Sequence, residues 1–561
     1  MLSIDLGIGL TSIAVAVRQA TNYATTWSFA AYAQANGGAL PGPWADVRRT
    51  GTATYENASG VITTLPDLGG GTYAARVQYR SGTARGLLIE GQTTQLLGKT
   101  EDFSDSYWGK NSGAISANAA VAPDGATTAD KLVAVASATQ QWVYKTGISV
   151  TSGAKYTISC FAKLAEYRYF QLRILTGGTI ANVGVDLQTG ATFGTIVGEH
   201  TVVAAGNGYY RIAVTGTTTG TSAEVYLNVS DVPSLSNNFT GDGVSGVYIW
   251  GANLNAGPLS SYIPNSGTGS VVRAADSAGV FLTSTALSAA FPGGVGQPWT
   301  TVFQYRKGYS VSSDETLFAL SAGSSAGSTN LLALQTNGTQ AQAVHSGGSG
   351  TLSGTLVHDG STVNKIALSV DPTYRGAELV TNGDFASGTG WSTGGGVSIS
   401  GGKLNFASVG VGTGAAQTIA ATVGKVYRVT LTVSDWSSGS GVWVQIGTGA
   451  AYQFTAAANG TYSLDVTATG TLLQLVSNNA SSTFKVDDLS VKEMGAVSVS
   501  VNGATAVETT GIAFTGSGTT HLIPGARTTG GSTPVLGMEI YDWRNGPSSY
   551  ITGASLQALS A

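Results

Sequence analysis

The sequence predicts an all-β protein built from several sandwich domains. Apolar and polar residues alternate with a period of two, as in residues 155–161, 425–431 and 497–501, and this spacing is typical of half-buried strands. The 79 glycines follow no collagen-like period, which favours tight turns between short strands. Helical periodicity is confined to Ser548 to Leu559. At 561 residues, the chain exceeds what one hydrophobic core supports.

We predict four structural units from breaks in this alternation. They are a β-rich N-terminal attachment region at 1–97, a jelly roll at 98–270, a split sandwich at 271–375 and 496–561, and a second jelly roll at 376–495. The split is predicted because the strand at 364–370 leads into Asp371-Pro372, yet its return strand appears only at 496–503. Insertion of a domain into such a surface loop is well tolerated.

The two predicted jelly rolls share local sequence features. Each opens with an Asp-Phe pair followed by a tryptophan, and each continues with a strand that contains a Lys and a Tyr after a glycine. These features are Asp102-Phe103, Trp108 and Gly153 to Tyr156 in one unit, and Asp384-Phe385, Trp391 and Gly424 to Tyr427 in the other. The similarity predicts two copies of one module.

Composition excludes several classes of partner. Only 10% of residues are charged, the net charge is −4, and no basic cluster occurs, so nucleic acid is not expected as a partner. One cysteine, Cys160, excludes an internal disulfide. No apolar run is long enough to cross a membrane. Met1 to Val17 lacks a basic start and contains Asp5, so we interpret it as a strand rather than a signal peptide.

The sequence gives no pattern for catalysis. Glycosidases require two carboxylates across the scissile bond, and no Glu-x-Asp-x-x-Glu strand signature is present. The four histidines are far apart in sequence, which argues against both a zinc motif and a Ser-His-Asp arrangement. We therefore expect a protein that is not an enzyme and that requires no cofactor.

Part of the chain resembles a module of tailed-bacteriophage structural proteins. The resemblance rests on Glu101-Asp102-Phe103, Ala122 to Gly125, Val247 to Leu254 and Ser261 to Pro264, with Gly86 to Glu90 as the usual lead-in. Two further resemblances concern the other units. Asn382 to Phe385 and Val486 to Leu489 are similar to jelly-roll carbohydrate-binding modules, whereas 364–368, 501–503 and 541–559 look like a laminin G or concanavalin A-like sandwich.

These resemblances imply a bacteriophage structural protein on the surface of the virion. We expect a tail or head fibre-like adhesin that contacts host envelope glycans, binds other virion proteins through residues 1–97 and forms a homo-oligomer, with a trimer as the expected state. A particle protein would leave the cell by lysis. One alternative is an architectural capsid decoration or tail component that binds no sugar. A secreted polysaccharide-degrading enzyme is a further alternative, which the missing carboxylate signature opposes.

The candidate binding residues are aromatic, because the apolar face of a sugar ring stacks on Trp or Tyr. They are Trp436, Trp443 and Tyr452 in the inserted unit, and Trp142, Tyr144, Tyr167 and Tyr169 in the first jelly roll, where alternate positions place them on one face. The competing interpretation for each is a core aromatic. Resemblance to sugar-binding jelly rolls also implies a structural Ca²⁺ held by Asn382, Asp384 and Asp488. Turn capping by these side chains is the alternative.

Overall fold

The computed structural model describes most of the chain from residue 82 onward and shorter stretches before it. The described residues are 25–27, 46–47, 52–65, 73–74, 76–80, 82–235, 238–276, 291, 294–307, 314–321, 332–337, 340–345, 348–352, 354–359, 362–439, 441–448, 458–512, 514, 521–524, 538–545 and 553–561. The strand predicted for Met1 to Val17 and the candidate Tyr452 lie outside them.

The structure confirms the predicted all-β fold with several sandwiches. The described residues form 39 strands arranged in antiparallel sheets. The helix α1 (Gly553–Ser560) lies in the stretch predicted to be helical. No helix in the described part of the chain has the length and hydropathy needed to cross a membrane.

The first 21 strands lie between residues 25 and 273. They are β1 (Thr25–Trp27), β2 (Asp46–Val47), β3 (Ala53–Glu56), β4 (Ile62–Leu65), β5 (Tyr73–Ala74), β6 (Arg76–Arg80), β7 (Thr83–Ile89), β8 (Thr93–Gln95), β9 (Gly109–Asn111), β10 (Gly113–Ala120), β11 (Ala129–Ala134), β12 (Gln141–Ser149), β13 (Lys155–Leu164), β14 (Tyr169–Leu175), β15 (Thr179–Asp186), β16 (Thr192–Val197), β17 (Glu199–Ala205), β18 (Tyr209–Thr217), β19 (Ser222–Ser230), β20 (Gly246–Ala256) and β21 (Val271–Arg273).

The remaining strands lie between residues 299 and 545. They are β22 (Trp299–Lys307), β23 (Asp314–Ser321), β24 (Leu332–Asn337), β25 (Gln340–His345), β26 (Gly348–Leu352), β27 (Asn364–Glu378), β28 (Ser392–Thr393), β29 (Val397–Ser400), β30 (Lys403–Val409), β31 (Gly414–Thr418), β32 (Val426–Ser438), β33 (Val442–Ile446), β34 (Gly460–Thr467), β35 (Leu472–Ser477), β36 (Ser482–Val501), β37 (Val507–Thr510), β38 (His521–Pro524) and β39 (Met538–Asn545).

Strands β9 to β20 form a sandwich of two sheets. One sheet has the strand order β16-β15-β14-β19-β12-β9, and the other has the order β10-β11-β20-β13-β18-β17. Val143, Phe170 and Val225 of the first sheet are fully buried against Ile158 and Val214 of the second. Because side chains alternate along a strand, the residues next to these core positions lie on the outer faces. We name the outer face of the first sheet the β12-β19-β14 face.

The outer face of the second sheet is covered by aromatic side chains. Phe161, Tyr209, Trp250 and Tyr262 are buried there as a separate cluster. The Thr54 hydroxyl of β3 donates a hydrogen bond to the carbonyl of Tyr262 (2.5 Å), so this strand of the N-terminal region packs against the same face.

A buried ionic cluster lies beside that aromatic layer. It consists of Arg76, Glu90, Arg273 and Asp276, whose side chains are almost completely buried. Arg76 donates hydrogen bonds to Glu90 Oε2 (2.7 Å) and to Asp276, and the Ser261 amide donates to Glu90 Oε1 (2.7 Å). Burial favours a higher pKa for Glu90, but the charges of Arg273 and Arg76 and the hydrogen bond from Ser261 outweigh it and lower the pKa to about 2.

A second sandwich contains strands from both ends of the chain. Its sheets are β27-β22-β39-β7-β6 and β26-β25-β24-β23-β38, with Phe303, Leu334, Leu368 and Val499 buried between them. Strand β39 pairs with β7 at Met538 and Ile89. The hairpin of β6 and β7, which the sequence assigns to the N-terminal region, is thus part of this sheet.

The inserted jelly roll is entered through β27 and left through β36. These two strands pair from Ile366 opposite Val501 to Glu378 opposite Lys492. Beyond that point β36 pairs with β32 and β30 of the insert. The structure thus confirms an insertion between the two strands that the sequence identifies as an interrupted pair.

The insert is a sandwich of two smaller sheets. The sheet that contains β29, β30, β36, β32 and β34 packs against the sheet β28-β31-β35-β33. Phe406, Leu431, Val444 and Leu475 are buried between them.

The two jelly rolls repeat local geometry around their opening aromatic pairs. The ring centroids of Phe103 and Trp108 are 5.0 Å apart with an interplanar angle of 42°. For Phe385 and Trp391 the values are 5.2 Å and 43°. The similarity that the sequence indicates is therefore present at this point of the fold.

The two jelly rolls also share a tyrosine hydrogen bond. The Tyr156 hydroxyl accepts a hydrogen bond from the amide of Thr151 (3.0 Å), and the Tyr427 hydroxyl accepts one from the amide of Thr422 (2.8 Å). In both cases the partner lies five residues earlier and the ring is buried. Each tyrosine therefore fixes the loop that precedes its strand.

Candidate functional site

Aromatic side chains cluster on the β12-β19-β14 face. Val143 of β12 is fully buried in the core, so its neighbours Trp142 and Tyr144 lie on the outer face. Tyr226 of β19 is paired with Tyr144 in the register. Their rings are stacked with centroids 5.5 Å apart, and the Trp142 ring meets the Tyr226 ring edge-on at 5.3 Å. We name these three residues the aromatic cluster.

A glycine on the neighbouring strand β9 leaves room for the Tyr144 ring. Gly109 of β9 is paired with Tyr144, and a Cβ atom at this position would lie 2.5 Å from the Tyr144 ring. A side chain there would displace the ring, so the glycine permits the Tyr144 ring to lie at the edge of the sheet.

Arg173 of β14 lies beside the aromatic cluster. It is paired with Tyr226, and its guanidinium carbon lies 4.8 Å from the Tyr226 ring centroid and 5.6 Å from that of Trp142. Such cation–π contacts hold a guanidinium against a ring. Burial lowers the pKa of Arg173, although the nearby Tyr226 and Glu224 oppose this shift.

The Tyr226 hydroxyl has an acidic partner. It donates a hydrogen bond to Glu224 Oε2 (2.5 Å). Burial raises the pKa of Tyr226 to about 12, and the hydrogen bond to the Glu224 carboxylate adds to the shift. The phenol therefore stays protonated near neutral pH.

Three amide side chains continue the face beyond the aromatic cluster, and we name them the amide row. Asn228 Nδ2 donates to Gln171 Oε1 (2.8 Å), and Gln171 Nε2 donates to Asn182 Oδ1 (2.7 Å). The exposed fractions of Asn228, Gln171 and Asn182 are 6%, 4% and 7%. Asn228 Oδ1 is buried without a hydrogen-bond partner in the described part of the chain. An unpaired buried acceptor is costly, which makes this atom a candidate for ligand contact.

Tyr169 and Phe193 lie at the other end of the same face. Their rings meet edge-on with centroids 5.5 Å apart, and the Arg168 guanidinium carbon lies 5.2 Å from the Tyr169 centroid. Tyr169 is one alternate position from Gln171, so it shares the face with Trp142 and Tyr144 as predicted.

Tyr167 does not share this face, and the prediction for its position is wrong. Its ring packs edge-on against Phe239, with centroids 5.4 Å apart, at the border of the core. Strand β14 begins only at Tyr169, so the alternation does not extend back to Tyr167.

Trp436 of the insert packs against the core, as the alternative interpretation of a core aromatic predicts. Its ring stacks on Phe484 with centroids 5.5 Å apart and an interplanar angle of 19°, and Phe484 stacks on Phe406. The preceding residue, Asp435, has a left-handed backbone with φ of 49°, and the pairing of β32 with β36 shifts at this point. The irregularity brings Trp436 to the core side.

Trp443 occupies the outer face of the smaller insert sheet. Its neighbours Val442 and Val444 are fully buried, and it is paired with Val476. The next outer position carries Gln445, which is paired with Gln474. Trp443 is half-buried, so it stays a candidate.

The predicted calcium ligands take part in turns. Asn382 Oδ1 accepts a hydrogen bond from the Ser387 amide (3.2 Å), and Asp384 Oδ1 accepts one from the Ala386 amide (3.2 Å). Asp488 Oδ2 accepts one from Thr432 (3.3 Å). Among the described residues, no group of three His, Cys, Asp or Glu is placed to hold a metal. The Ca²⁺ site stays a prediction, and turn capping accounts for the contacts of Asn382 and Asp384.

Sequence reasoning missed most of this face. Tyr226, Arg173, Gln171, Asn182 and Asn228 were not among the candidates. The alternation along β14, β15 and β19 places each on the outer side, but only the strand register brings them together.

The solved structures that match this chain include two that are distant from it in sequence. No protein-family model matches the chain, and no curated protein matches it. The CBM22-1 and GH10 modules of endo-1,4-β-D-xylanase 10B from Clostridium thermocellum, complexed with xylohexaose, are 12% identical with a TM-score of 0.18. That match covers 32% of this chain and 30% of the other, so the chain spans less than a third of the xylanase structure.

The second match is the tandem CBM22-1-CBM22-2 domain of Xyn10C from Paenibacillus barcinonensis. It is 11% identical with a TM-score of 0.20, and it covers 72% of this chain and 98% of the other. Both scores are too low to support any inference about function. The fold described above therefore rests on the strand order and the cores of this chain alone.

Proposed function

We propose that this chain is a non-catalytic glycan-binding protein whose binding site is the β12-β19-β14 face. The observation that carries the proposal is the placement of the aromatic cluster directly beside the amide row. Trp142 is paired with Asn228, and Tyr226 is paired with Arg173, in neighbouring strands.

This combination matches the two chemical surfaces of a sugar. The apolar face of a pyranose ring packs on an aromatic side chain, whereas its hydroxyl groups need hydrogen-bond partners. The unpaired Asn228 Oδ1 can accept a hydrogen bond from a hydroxyl. Gln171 and Asn182 support Asn228 through their own hydrogen bonds, so a bound sugar meets a positioned amide.

Two acidic side chains on this face are engaged in structural contacts rather than placed for hydrolysis. Glu224 accepts the hydroxyl of Tyr226, and Asp186 is held by Arg168 through two hydrogen bonds. Each carboxylate is therefore occupied by a structural partner. A glycosidase needs two carboxylates that flank the bond to be cleaved.

We further propose that the protein acts as a fibre-like adhesin on the surface of a bacteriophage particle. The support for this role is the sequence resemblance of 86–264 to phage structural modules. In this proposal, residues 1–97 contact other virion proteins and the chain forms a homotrimer. Several weak sugar sites held on one particle would bind strongly through avidity.

The direct test is glycan-array screening of the full chain, followed by calorimetry on the best ligand. Trp142→Ala and Tyr226→Ala are expected to weaken binding at least about tenfold, because they remove the stacking surface. Trp443→Ala is the matched variant on the outer face of the insert, and it should bind as the wild type does. If glycan binding were lost in Trp443→Ala alone, the binding site would lie on the insert. A folded protein that binds no glycan would favour the architectural virion component.

A further inference from the structure

Arg173 is a cationic group for which the described part of the chain provides no hydrogen bond or ion pair. Its contacts there are with the rings of Trp142 and Tyr226, and its Nε atom is buried without a hydrogen-bond partner. Arg168, which directly precedes β14, differs because it forms an ion pair with Asp186. The guanidinium of Arg173 is thus positioned but not neutralised by a bonded acid.

Burial lowers the pKa of Arg173, and the charges of Tyr226 and Glu224 oppose this shift. Glu224 is one alternate position from Tyr226, and its carboxylate receives the Tyr226 hydroxyl. On the other side, Arg173 is paired with Asn182 of the amide row. The cation therefore stands between a stacking surface and a set of neutral hydrogen-bonding groups.

We propose that the β12-β19-β14 face selects acidic saccharides, with Arg173 binding a carboxylate or sulfate group carried by the sugar. This inference rests on the proposed glycan-binding function and names its ligand class. The sugar ring stacks on the aromatic cluster, its hydroxyl groups reach Asn228, and its anionic substituent meets the guanidinium at the border between the two.

The planar guanidinium of Arg173 favours an anion with two oxygen atoms in one plane. A guanidinium presents donors as a planar fork that binds a carboxylate in bidentate fashion, and lysine cannot reproduce this arrangement. The Trp142 and Tyr226 rings lie within cation–π distance and restrict the guanidinium plane. Since the side chain is ordered before binding, less rotamer entropy is lost when the anion arrives.

The test uses the full chain and paired oligosaccharides. The panel contains uronic-acid oligosaccharides, each beside its carboxyl-reduced neutral form, and sulfated oligosaccharides, each beside its desulfated form. Calorimetry measures the affinity for the acidic member of each pair relative to the affinity for its neutral member. It is carried out on the wild type, Arg173→Gln, Arg173→Lys and Glu224→Gln. Lys155→Gln is the matched control, because it removes one positive charge from the exposed Lys155–Glu199 pair elsewhere in the same sandwich. Thermal melting verifies that each variant is folded.

The wild type is expected to prefer the acidic member of a pair by about tenfold or more, because hydrogen bonds to charged groups contribute that much to affinity. Arg173→Gln should abolish the preference for the acidic member, Arg173→Lys should retain only part of it, and Glu224→Gln should increase it. Lys155→Gln should behave as the wild type. The uronate and sulfate pairs identify which anion is recognised.

Three other results would overturn the inference, and they are distinguishable from one another. If neutral members bind as well as acidic ones and Trp142→Ala still abolishes binding, the acidic preference is refuted while the glycan-binding function stands. If no member binds to the folded wild type, both proposals fail together. A preference for acidic sugars that survives in Arg173→Gln would also refute the role of Arg173.

Discussion

Glu90 is the centre of the buried ionic cluster, and replacing it with Gln tests what this cluster contributes to stability. The carboxylate accepts hydrogen bonds from Arg76 and from the Ser261 amide, and it faces Arg273. Gln has nearly the same shape but carries no charge, and it brings an amide donor towards Arg76. The substitution therefore removes one of the two carboxylates that compensate the buried guanidinium charges, the other being Asp276. Removing one partner from a buried ion network is strongly destabilising.

The magnitude follows from the pKa of Glu90. Its pKa falls from 4.5 to about 2 in the folded protein, and each pKa unit corresponds to about 1.4 kcal/mol, so the ionised form stabilises the fold by about 3 kcal/mol. Because the folded pKa is lowered, this contribution is fully present above the unfolded pKa near 4.5. It is lost progressively as the pH falls from that value to about 2. The deficit of Glu90→Gln should shrink over the same interval.

The protein is titrated with urea, and unfolding is monitored by hydrogen-exchange mass spectrometry of the peptides that contain β7 and β21. These peptides report the local unfolding free energy around Glu90 in a chain with several cores. Glu199→Gln is the control, because Glu199 forms an exposed ion pair with Lys155 that contributes about 1 kcal/mol or less. Equal losses in the two variants, or a Glu90→Gln deficit that persists unchanged near pH 2, would refute the reasoning.

Three further predictions concern the two jelly rolls. Gly109→Ala should displace the Tyr144 ring and weaken glycan binding in calorimetry with little change in the melting temperature. Trp436→Ala should destabilise the insert by about 2 kcal/mol, since it removes a half-buried ring from the core edge, and should leave glycan affinity unchanged; a loss of affinity with unchanged stability would contradict this. Tyr427→Phe should cost about 1 kcal/mol in urea denaturation by removing the acceptor for the Thr422 amide, and an unchanged midpoint would show that the loop does not need this bond.

The fold was predictable because its main signals are local. Strict alternation identifies strands, and the broken hairpin identifies the insertion, since the strands at 364–370 and 496–501 carry matching alternation. Their pairing, with Ile366 opposite Val501, required no knowledge of the insert. The same alternation correctly placed Trp142 and Tyr144 on one outer face.

The site was only partly predictable because its geometry depends on register and on irregular backbone. Tyr226 and Arg173 are 53 residues apart and become neighbours only through the pairing of β14 with β19. The left-handed conformation at Asp435 reverses the side on which Trp436 lies. No sequence period predicts such an irregularity, because a positive φ is uncommon at any non-glycine residue, including Asp, in which it is enriched.

The shared scaffold of the two jelly rolls explains why glycan binding is proposed for one of them. Strand β12 of the first jelly roll and strand β31 of the insert occupy equivalent places in the chain. Each lies between the opening Phe-Trp pair and the strand that carries the hydrogen-bonded tyrosine. Strand β12 pairs with β19, and β31 pairs with β35. Their core positions are equivalent, with Val143 buried in one and Ala415 buried in the other. The outer positions differ, since Trp142 and Tyr144 correspond to Gly414 and Ala416.

The insert therefore lacks the stacking surface at the position where the first jelly roll has it. Its remaining outer aromatic, Trp443, lies on β33, at the far side of β35 from β31. A sugar that stacked on Trp443 would have Gln445 and Gln474 beside it but no second ring from β31. Because a flat sugar gains affinity from adjacent stacking and polar contacts together, the first jelly roll is the stronger binding candidate.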